Sequence, residues 1–192
     1  MSIVVGLTGP TGSGKSTASK TAEALGFKVI DCDKLARVAV EKGREGLTAL
    51  VAVFGDDILN EDGFLNRKRL AQKAFSTKEN TELLNKTLLP CIAKLIDVEI
   101  KSDKVLLDAP TLFESGVDKD CDFTIAVLAD SDIRLKRIIA RDNIDEAAAK
   151  LRMSAGKTDD FYIEKADHIL YNNGEIDELK KAFRLILNNG GK

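Results

Sequence analysis

The stretch of sequence that decides the fold is IVVGLTGPTGSGKST, at residues 3–17. Its apolar run, Ile3–Leu7, predicts a buried strand, and Gly14–Leu25 has the composition of a helix that stops at Gly26. Between them, Gly9–Ser16 matches the pattern G-x-x-x-x-G-K-[ST] of a phosphate-binding loop. A strand before this pattern and a helix after it are the context that the motif requires, so we expect the loop to bind a nucleoside triphosphate.

The chemistry of phosphate binding explains why these residue types occur at this spacing. Glycines let the backbone pass close to phosphate oxygens and turn N–H groups toward them, and the start of the following helix adds a favourable dipole. Lys15 can reach the β- and γ-phosphates, the Ser16 hydroxyl can ligate Mg²⁺, and Thr17 can donate to the α-phosphate. The residues predicted to contact the nucleotide are Gly12, Ser13, Gly14, Lys15, Ser16 and Thr17. The competing interpretation is a glycine-rich turn with an exposed lysine.

Further apolar runs predict the rest of the sheet. Strands are expected at Lys28–Ile30, Val105–Leu107 and Thr124–Ala129, with a weaker candidate at His168–Tyr171. The stronger runs are almost continuously apolar, as in strands buried on both faces of a parallel sheet. A C-terminal helix is predicted over Glu175–Asn188. Strands that alternate with helices predict an α/β fold with right-handed crossovers.

Residues 32–103 contain several helical patterns and no convincing strand, which is far more chain than one crossover helix requires. Apolar residues recur at intervals of three and four from Leu84 to Val98, but Pro90 interrupts the pattern. We therefore expect two helices or one kinked helix there. We interpret residues 32–103 as a helical insertion beside the sheet and as the region that receives an acceptor substrate.

Two carboxylates, Asp31 and Asp33, follow the second predicted strand. The carboxyl ends of parallel strands face the ligand crevice, and side chains at i and i+2 of an extended chain project the same way. One of the two can therefore hold a magnesium-bound water while the other meets an acceptor hydroxyl, and an ordinary carboxylate suffices because phosphoryl transfer needs positioning more than a strong base. We select Asp31 for the metal and Asp33 for catalysis. The alternative makes Asp33 the N-cap of a helix that begins at Lys34, and the two roles are compatible.

A third carboxylate, Asp108, ends the Val105–Leu107 run as in a Walker B strand. In that position an acidic residue contacts the shell of the metal, but Asp108 can equally satisfy loop amides. These two interpretations stay open at the level of sequence.

Basic residues after the fourth strand form a helical pattern. Arg134, Arg137 and Arg141 stand at i, i+3 and i+7 and therefore share one helix face. A solvated face is the alternative, but a phosphotransferase needs mobile cations on the transferring phosphoryl, so we select Arg137 and Arg141 as catalytic. The polar segment 142–158 is the predicted lid. Asn172, in the turn before the last helix, is the predicted contact with the adenine edge.

Composition excludes several classes of protein. The 192 residues carry 29 Lys+Arg and 31 Asp+Glu, a net charge of -2, so nucleic acid is not the expected partner. No apolar run is long enough to span a bilayer, and we expect no signal peptide. Three cysteines without C-x-x-C spacing favour a reduced, cytoplasmic chain. The single histidine, His168, excludes a site with several histidine ligands.

Taken together, these motifs resemble the dephospho-CoA kinase family over nearly the whole chain. The ordered set that carries the resemblance is Gly6–Thr17, Val29–Asp33 with Ala36 and Arg37, Asp108–Glu114, Arg137 with Arg141 and Asp142, and Ala166–Gly174. The phosphate-binding loop occurs in many families, and the ordered set is much more specific.

The resemblance implies a three-layer P-loop core with a five-stranded parallel sheet, within a single domain over residues 1–192. It also implies a helical CoA-binding region at 32–103 and a lid at 142–158. The implied reaction is phosphorylation of the ribose 3′-hydroxyl of dephospho-CoA by ATP, the last step of coenzyme A synthesis, with Mg²⁺ as cofactor. By the same resemblance, Asp33 is the base toward that hydroxyl, and Arg137 and Arg141 serve ATP and the transition state. The implied acceptor contacts are Asp33, Arg37, Leu112 and Glu114.

Two alternatives remain at the level of sequence. Another kinase of the same architecture would act on a nucleoside monophosphate, shikimate or gluconate, and the acceptor region would distinguish it. A GTPase-type switch would carry the guanine-specifying N-K-x-D, but the only Asn-Lys pair, Asn85-Lys86, is followed by Thr87 and Leu88. The switch is therefore ranked below the kinase.

Overall fold

The computed structural model describes residues 3–99 and 102–191. The strands are β1 (Ile3–Thr8), β2 (Lys28–Asp31), β3 (Lys104–Asp108), β4 (Phe123–Leu128) and β5 (His168–Tyr171). The helices are α1 (Lys15–Ala24), α2 (Cys32–Ala39), α3 (Glu45–Phe54), α4 (Arg67–Ala74), α5 (Lys78–Glu99), α6 (Leu112–Ser115), α7 (Ser131–Asp142), α8 (Glu146–Ser154), α9 (Asp159–Lys165) and α10 (Ile176–Asn188). Short 3-10 turns cover Asp56–Ile58 and Val117–Asp120. All five predicted strands are present.

The chain divides into two compact units. The first unit contains the described residues up to Ile30 and those from Ser102 onward, and the second contains Asp31 to Glu99. Within the part of the chain that the structure describes, no helix is both long and apolar enough to cross a membrane.

The first unit is built on a five-stranded parallel sheet with the strand order β2-β3-β1-β4-β5. Val5 of the central strand β1 lies opposite Leu106 of β3 and Phe123 of β4. β1 and β4 are almost entirely buried, which explains their continuous apolar sequence. The expected α/β fold is confirmed.

Helices cover both faces of this sheet. On one face, α1 and α10 pack against the strands, with Phe183 of α10 fully buried among Val5, Leu7 and Ile125. On the other face, Tyr162 of α9 packs against the alternate residues of β4, Ala126 and Leu128. Because successive side chains of a strand point to opposite faces, β4 contributes to both layers of the core.

The second unit is helical, with its own core of Val40, Leu50, Phe54, Ile58, Leu70 and Ala74. The prediction of several helices without a strand for this region agrees with α2 to α5.

α5 settles the alternative left open at Pro90. It runs without a break from Lys78 to Glu99 with Pro90 inside it, so the two-helix alternative is wrong. A proline inside a helix removes one backbone hydrogen bond. Beyond Pro90, Ile92 and Ile96 are buried one turn apart, and this packing holds the second half of the helix in place.

Candidate active site

The phosphate-binding loop of the first unit forms the wall of a cavity of about 420 Å³. The cavity is lined by Gly9, Pro10, Thr11, Gly12, Ser13, Gly14, Lys15, Ser16, Pro110, Arg137 and Arg141. Lys15 is the first residue of α1, so the loop leads directly into a helix N-terminus, where backbone N–H groups and the helix dipole favour an anion. The structure thus brings together the predicted loop residues and both predicted arginines.

Position 14 needs a glycine for two reasons, its backbone conformation and the close approach of a neighbouring side chain. It adopts φ +110°, and a Cβ built on it would lie 2.1 Å from Nδ2 of Asn172. No side chain fits in that space without displacing Asn172. The loop is therefore held against the residue that follows β5.

Asn172 supports the loop from inside the protein. Its side chain is buried, and Nδ2 donates a hydrogen bond of 2.7 Å to the carbonyl oxygen of Ser13. An N–H of the Asn172 amide is therefore committed to the loop backbone, and the contact of this residue with adenine stays a prediction. The turn sequence indicated a functional asparagine but not the side from which it acts.

Asp108 lies against α1. Its Oδ2 is 2.6 Å from the Ser19 hydroxyl, which is also 3.1 Å from the Lys15 carbonyl oxygen. Ser19 follows Ser16 by three residues, so both hydroxyls lie on the same face of α1. This contact holds the carboxylate beside the helix that carries Ser16, and the place of Asp108 in a magnesium shell stays a prediction. Ser19 was missed in the sequence, although its i+3 spacing from Ser16 was the available signal.

The three predicted arginines separate into two groups. Nη1 of Arg137 lies 3.5 Å and 3.4 Å from the carbonyl oxygens of Gly12 and Ser13, and Arg141 lines the cavity. Arg134, by contrast, is buried, and its Nη1 is 3.4 Å from Oδ1 of Asp159. The three positions do share one face of the continuous helix α7, but Arg134 is held inside the fold by a carboxylate of α9 and does not line the cavity.

Arg141 is paired with its neighbour in sequence. Asp142 accepts hydrogen bonds from Nε and Nη2 of Arg141 at 2.7 Å and 2.8 Å, and it also accepts one from Arg152 of α8. The hydrogen bonds from Arg141, followed by the charges of both arginines, lower the pKa of the Asp142 carboxyl. Both Asp142 and Arg152 lie in the predicted lid segment, but the sequence did not predict their contact, since only the fold brings α8 next to the end of α7.

Two predicted acceptor residues lie on α6. Leu112 is fully buried, and its Cδ2 would lie 2.8 Å from a Cβ built on Gly6, so it packs in the core here and its contact with an acceptor stays a prediction. Glu114 is half-buried. Burial, followed by the charge of Glu114, raises the pKa of Tyr162 to about 12, so this tyrosine is neutral at physiological pH.

The carboxylates at the end of β2 do not match the alternative in which Asp33 caps a helix. Asp31 is the N-cap of α2, and its Oδ1 accepts a hydrogen bond of 3.0 Å from the backbone N–H of Lys34. The alternative with Asp33 as the cap of a helix beginning at Lys34 is therefore wrong, because α2 begins two residues earlier, at Cys32. Asp33 is exposed in the first turn of α2.

Asp33 lies in a groove of the second unit, here called the α2–α5 groove, with a volume of about 280 Å³. The groove is lined by Asp33, Ala36, Arg37, Val40, Leu65, Arg67, Leu70, Ala71, Ala74, Phe75, Leu84 and Leu88. Arg37 follows Asp33 by one helical turn, so a carboxylate and a guanidinium lie on the same face of α2. Most of the remaining lining is apolar.

The described residues do not form a cluster of metal-binding side chains. Among residues 3–99 and 102–191, no three His, Cys, Asp or Glu side chains meet in an arrangement able to hold a metal ion. A hydroxyl such as that of Ser16, with carboxylates acting through water, provides the hard oxygen ligands that Mg²⁺ prefers when nucleotide phosphates supply the others.

Comparison with known proteins decides between the kinase alternatives. A model of the family described as dephospho-CoA kinase matches residues 3–178. A dephospho-CoA kinase of Corynebacterium efficiens is 39% identical over 189 residues, which cover 95% of this chain and 94% of that protein. The chain belongs to the dephospho-CoA kinase family.

Solved structures agree with this assignment. A protein from Thermus thermophilus superposes with a TM-score of 0.78 at 29% identity, over 98% of this chain and 97% of that one. A dephospho-CoA kinase from Campylobacter jejuni gives a TM-score of 0.66 at 27% identity, again over 98% and 97% of the two chains. The predicted enzyme class is confirmed: the chain is an ATP-dependent phosphotransferase that converts dephospho-CoA to CoA. The switch protein and the kinases for other acceptors are thereby set aside.

The contact between Gly14 and Asn172 gives a matched pair of glycine variants. Gly26 also has a positive φ, of 82°, but a Cβ on it would meet nothing within 4 Å. Gly26→Ala should therefore cost only the backbone strain, about 1–2 kcal/mol of unfolding free energy, and leave the KM for ATP unchanged. Gly14→Ala should cost more and raise the KM for ATP about 10-fold or more, because the loop has to move. Urea unfolding and initial rates measure both quantities, and equal effects of the two variants would contradict the steric explanation.

Proposed function

We propose that the cavity of the first unit binds the triphosphate of ATP and that the α2–α5 groove of the second unit binds dephospho-CoA. The observation that carries the proposal is the cavity itself, in which Lys15, Arg137 and Arg141 meet the N-terminus of α1. Three cations and a row of backbone N–H groups match a triphosphate, and they can neutralise the phosphoryl group during its transfer.

At the ATP end, Lys15 would bind the β- and γ-phosphates, and Thr17 would donate to the α-phosphate. Ser16 would be the direct protein ligand of Mg²⁺, with Asp31 and Asp108 acting through bound water. The hydrogen bond between Asp108 and Ser19 supports this, since it holds a carboxylate beside the helix that carries Ser16. Magnesium, when bound, would neutralise charge on the phosphates, and the protein would supply the hydroxyl and the oriented carboxylates.

At the acceptor end, the α2–α5 groove fits a molecule with both an apolar arm and charged groups. Dephospho-CoA combines a long, weakly polar pantetheine arm with a diphosphate and a ribose. Val40, Leu70 and Leu88 would pack against the arm, while Arg37 and Arg67 would bind the diphosphate oxygens. Glu114 of the first unit is retained as a proposed acceptor contact.

The reaction would proceed by attack of the ribose 3′-hydroxyl oxygen on the γ-phosphorus of ATP. The new O–P bond forms as the bond between the γ-phosphorus and the bridging oxygen breaks, and ADP leaves with that electron pair. Asp33 would accept the proton of the hydroxyl late in the transfer, when its oxygen has become acidic. Arg137 and Arg141 would stabilise the negative charge on the transferring group.

A cytoplasmic location is part of the proposal. Its support is that no disulfide joins Cys32, Cys91 and Cys121, all of which lie among the described residues, and this suits a reducing compartment.

The reaction is tested by an assay that couples ADP formation to a spectroscopic signal. With ATP and Mg²⁺, dephospho-CoA should accelerate ADP release strongly, whereas AMP and shikimate should not. Chelation of Mg²⁺ with EDTA should abolish turnover, and added Mg²⁺ should restore it. Mass spectrometry of the product should show the addition of one phosphoryl group to dephospho-CoA. Turnover of a different acceptor, with none of dephospho-CoA, would refute the proposed acceptor.

The role of Asp33 is tested by Asp33→Asn. Loss of the proton acceptor should reduce kcat about 10²- to 10⁴-fold while the KM for ATP changes little, because the nucleotide is bound by other residues. Glu41→Gln, an exposed change just after α2 and outside the groove, is the control and should retain the original kcat. A kcat for Asp33→Asn close to that of the control would show that Asp33 plays no part in proton transfer.

The groove is tested by neighbouring substitutions on α4. Arg67 lines the groove, and Lys68 is exposed but outside it. Arg67→Met should raise the KM for dephospho-CoA about 10-fold, the effect of losing a charged hydrogen bond to phosphate, and leave the KM for ATP unchanged. Lys68→Met should change neither constant. If the two variants behave alike in titrations with dephospho-CoA, the diphosphate lies elsewhere.

A further inference from the structure

Asp142, the last residue of α7, joins two arginines of the first unit that lie on different helices. Its Oδ1 and Oδ2 accept hydrogen bonds from Nε and Nη2 of Arg141, and Nη1 of Arg152 on α8 also donates to Oδ2. The Asp142 side chain is 17% exposed, whereas those of Arg141 and Arg152 are 58% and 53% exposed. The carboxylate therefore lies inside the cluster, with a guanidinium on each side.

The position of Asp142 is not explained by the stability of its helix. The C-terminal end of a helix carries a partial negative charge, which disfavours an acidic residue there. The next residue, Asn143, adopts a left-handed backbone with φ 50° and turns the chain from α7 toward α8. A carboxylate placed at this turn interacts favourably only because the two arginines surround it.

The pair leaves Arg141 available to a ligand. A guanidinium has five N–H donors, and the two hydrogen bonds to Asp142 use the edge formed by Nε and Nη2. The Nη1 edge remains, and Arg141 lines the phosphate cavity while it is paired. A planar, bidentate pair also fixes the orientation of the guanidinium, which a single hydrogen bond would not do.

We propose that Asp142 is a positioning residue for phosphoryl transfer, which orients Arg141 toward the transferring phosphate and ties Arg152 of α8 to it. The inference rests on the proposed function, because Arg141 has to meet the phosphate for its orientation to matter. The order of contacts is Arg152 to Asp142, Asp142 to Arg141, and Arg141 to the phosphate. Without the carboxylate, the two guanidiniums would repel each other and Arg141 would turn freely.

The opposite role can be distinguished by experiment. If Asp142 instead competed with the phosphate for Arg141, its removal would free the arginine and raise activity. A positioning role predicts the reverse. The charge and the length of the side chain both matter in a bidentate pair, so two variants are needed.

Asp142→Asn should reduce kcat about 10-fold or more, while the KM for dephospho-CoA stays within about 2-fold, because the misplaced group acts on the transition state. Asp142→Glu, which keeps the charge, should recover a large part of the lost kcat. Asp177→Asn is the matched control, since it removes an exposed carboxylate that pairs with Lys180 on α10, outside the lid and the cavity. It should leave kcat unchanged, and melting temperatures should establish that every variant is folded at the assay temperature.

Arg152 supplies the second arm of the test. Arg152→Met keeps the Arg141–Asp142 pair and should lower kcat about 3-fold. In an Asp142→Asn background the same substitution should lower kcat hardly any further, because the effects of substitutions within one chain of contacts are not additive. Unchanged or higher kcat in Asp142→Asn, no recovery in Asp142→Glu, or additive effects of the two substitutions would each overturn the inference. If the wild-type protein does not turn over dephospho-CoA, the proposed function and this inference are both overturned. If the wild type is active and Asp142→Asn is equally active, the inference alone is overturned.

Discussion

The phosphate-binding loop depends on one buried hydrogen bond, from Nδ2 of Asn172 to the carbonyl oxygen of Ser13. A loop that offers its N–H groups to a ligand has to turn carbonyl groups toward the protein, where water is absent and each needs a partner. Ser13 is almost completely buried, and its carbonyl oxygen has the short bond from Asn172 beside the long contact with Arg137; a buried carbonyl left unpaired would cost about 1–3 kcal/mol. Asn172 is held in turn by a backbone hydrogen bond to Leu128, which extends the pairing of β4 with β5. The geometry of a loop near the start of the chain is therefore set by a residue that directly follows β5, the last strand in the sequence.

The two arginines that line the cavity are held in different ways, and both suit a site for an anion. Arg137 contacts the loop carbonyls only at 3.4 Å and 3.5 Å, the long limit of a hydrogen bond, so a phosphate can attract it away at little cost. Arg141 is held more tightly, by two short hydrogen bonds to Asp142. One arginine is thus free to move to a ligand while the other is already oriented. A single carboxylate also reduces the repulsion among cations that would otherwise oppose folding of this end of the unit.

The sequence predicted the strands and the phosphate-binding loop well because both depend on local patterns. Continuous apolar runs require burial on two faces, and the glycine-lysine pattern requires a strand before it and a helix after it. The direction in which a side chain points depends on the whole fold, so the sequence did not show how the residues beside these motifs are packed. Leu112 and Asn172 lie next to functional motifs, but packing against Gly6 and Ser13 turns both of them inward. The cap of α2 was misassigned because Asp31 and Asp33 are equally good N-cap residues, and only the backbone decides between them.

The proposed acceptor groove of the second unit has a lining that suits a large acceptor better than a small polar one. A nucleoside monophosphate or shikimate is compact and polar, and it would leave most of an apolar groove such as that around Val40, Leu70 and Leu88 in contact with water. A ligand with a long, weakly polar arm can cover that surface, at a gain of about 25 cal/mol for each Å² of apolar area removed from water. Under the proposed function, Arg37 and Arg67 would add the charge recognition that the apolar lining lacks, and the groove would select for an apolar arm and a diphosphate in the same molecule. Such selection needs no contact with an adenine ring. ATP and dephospho-CoA both contain adenine, so that ring could not distinguish one from the other.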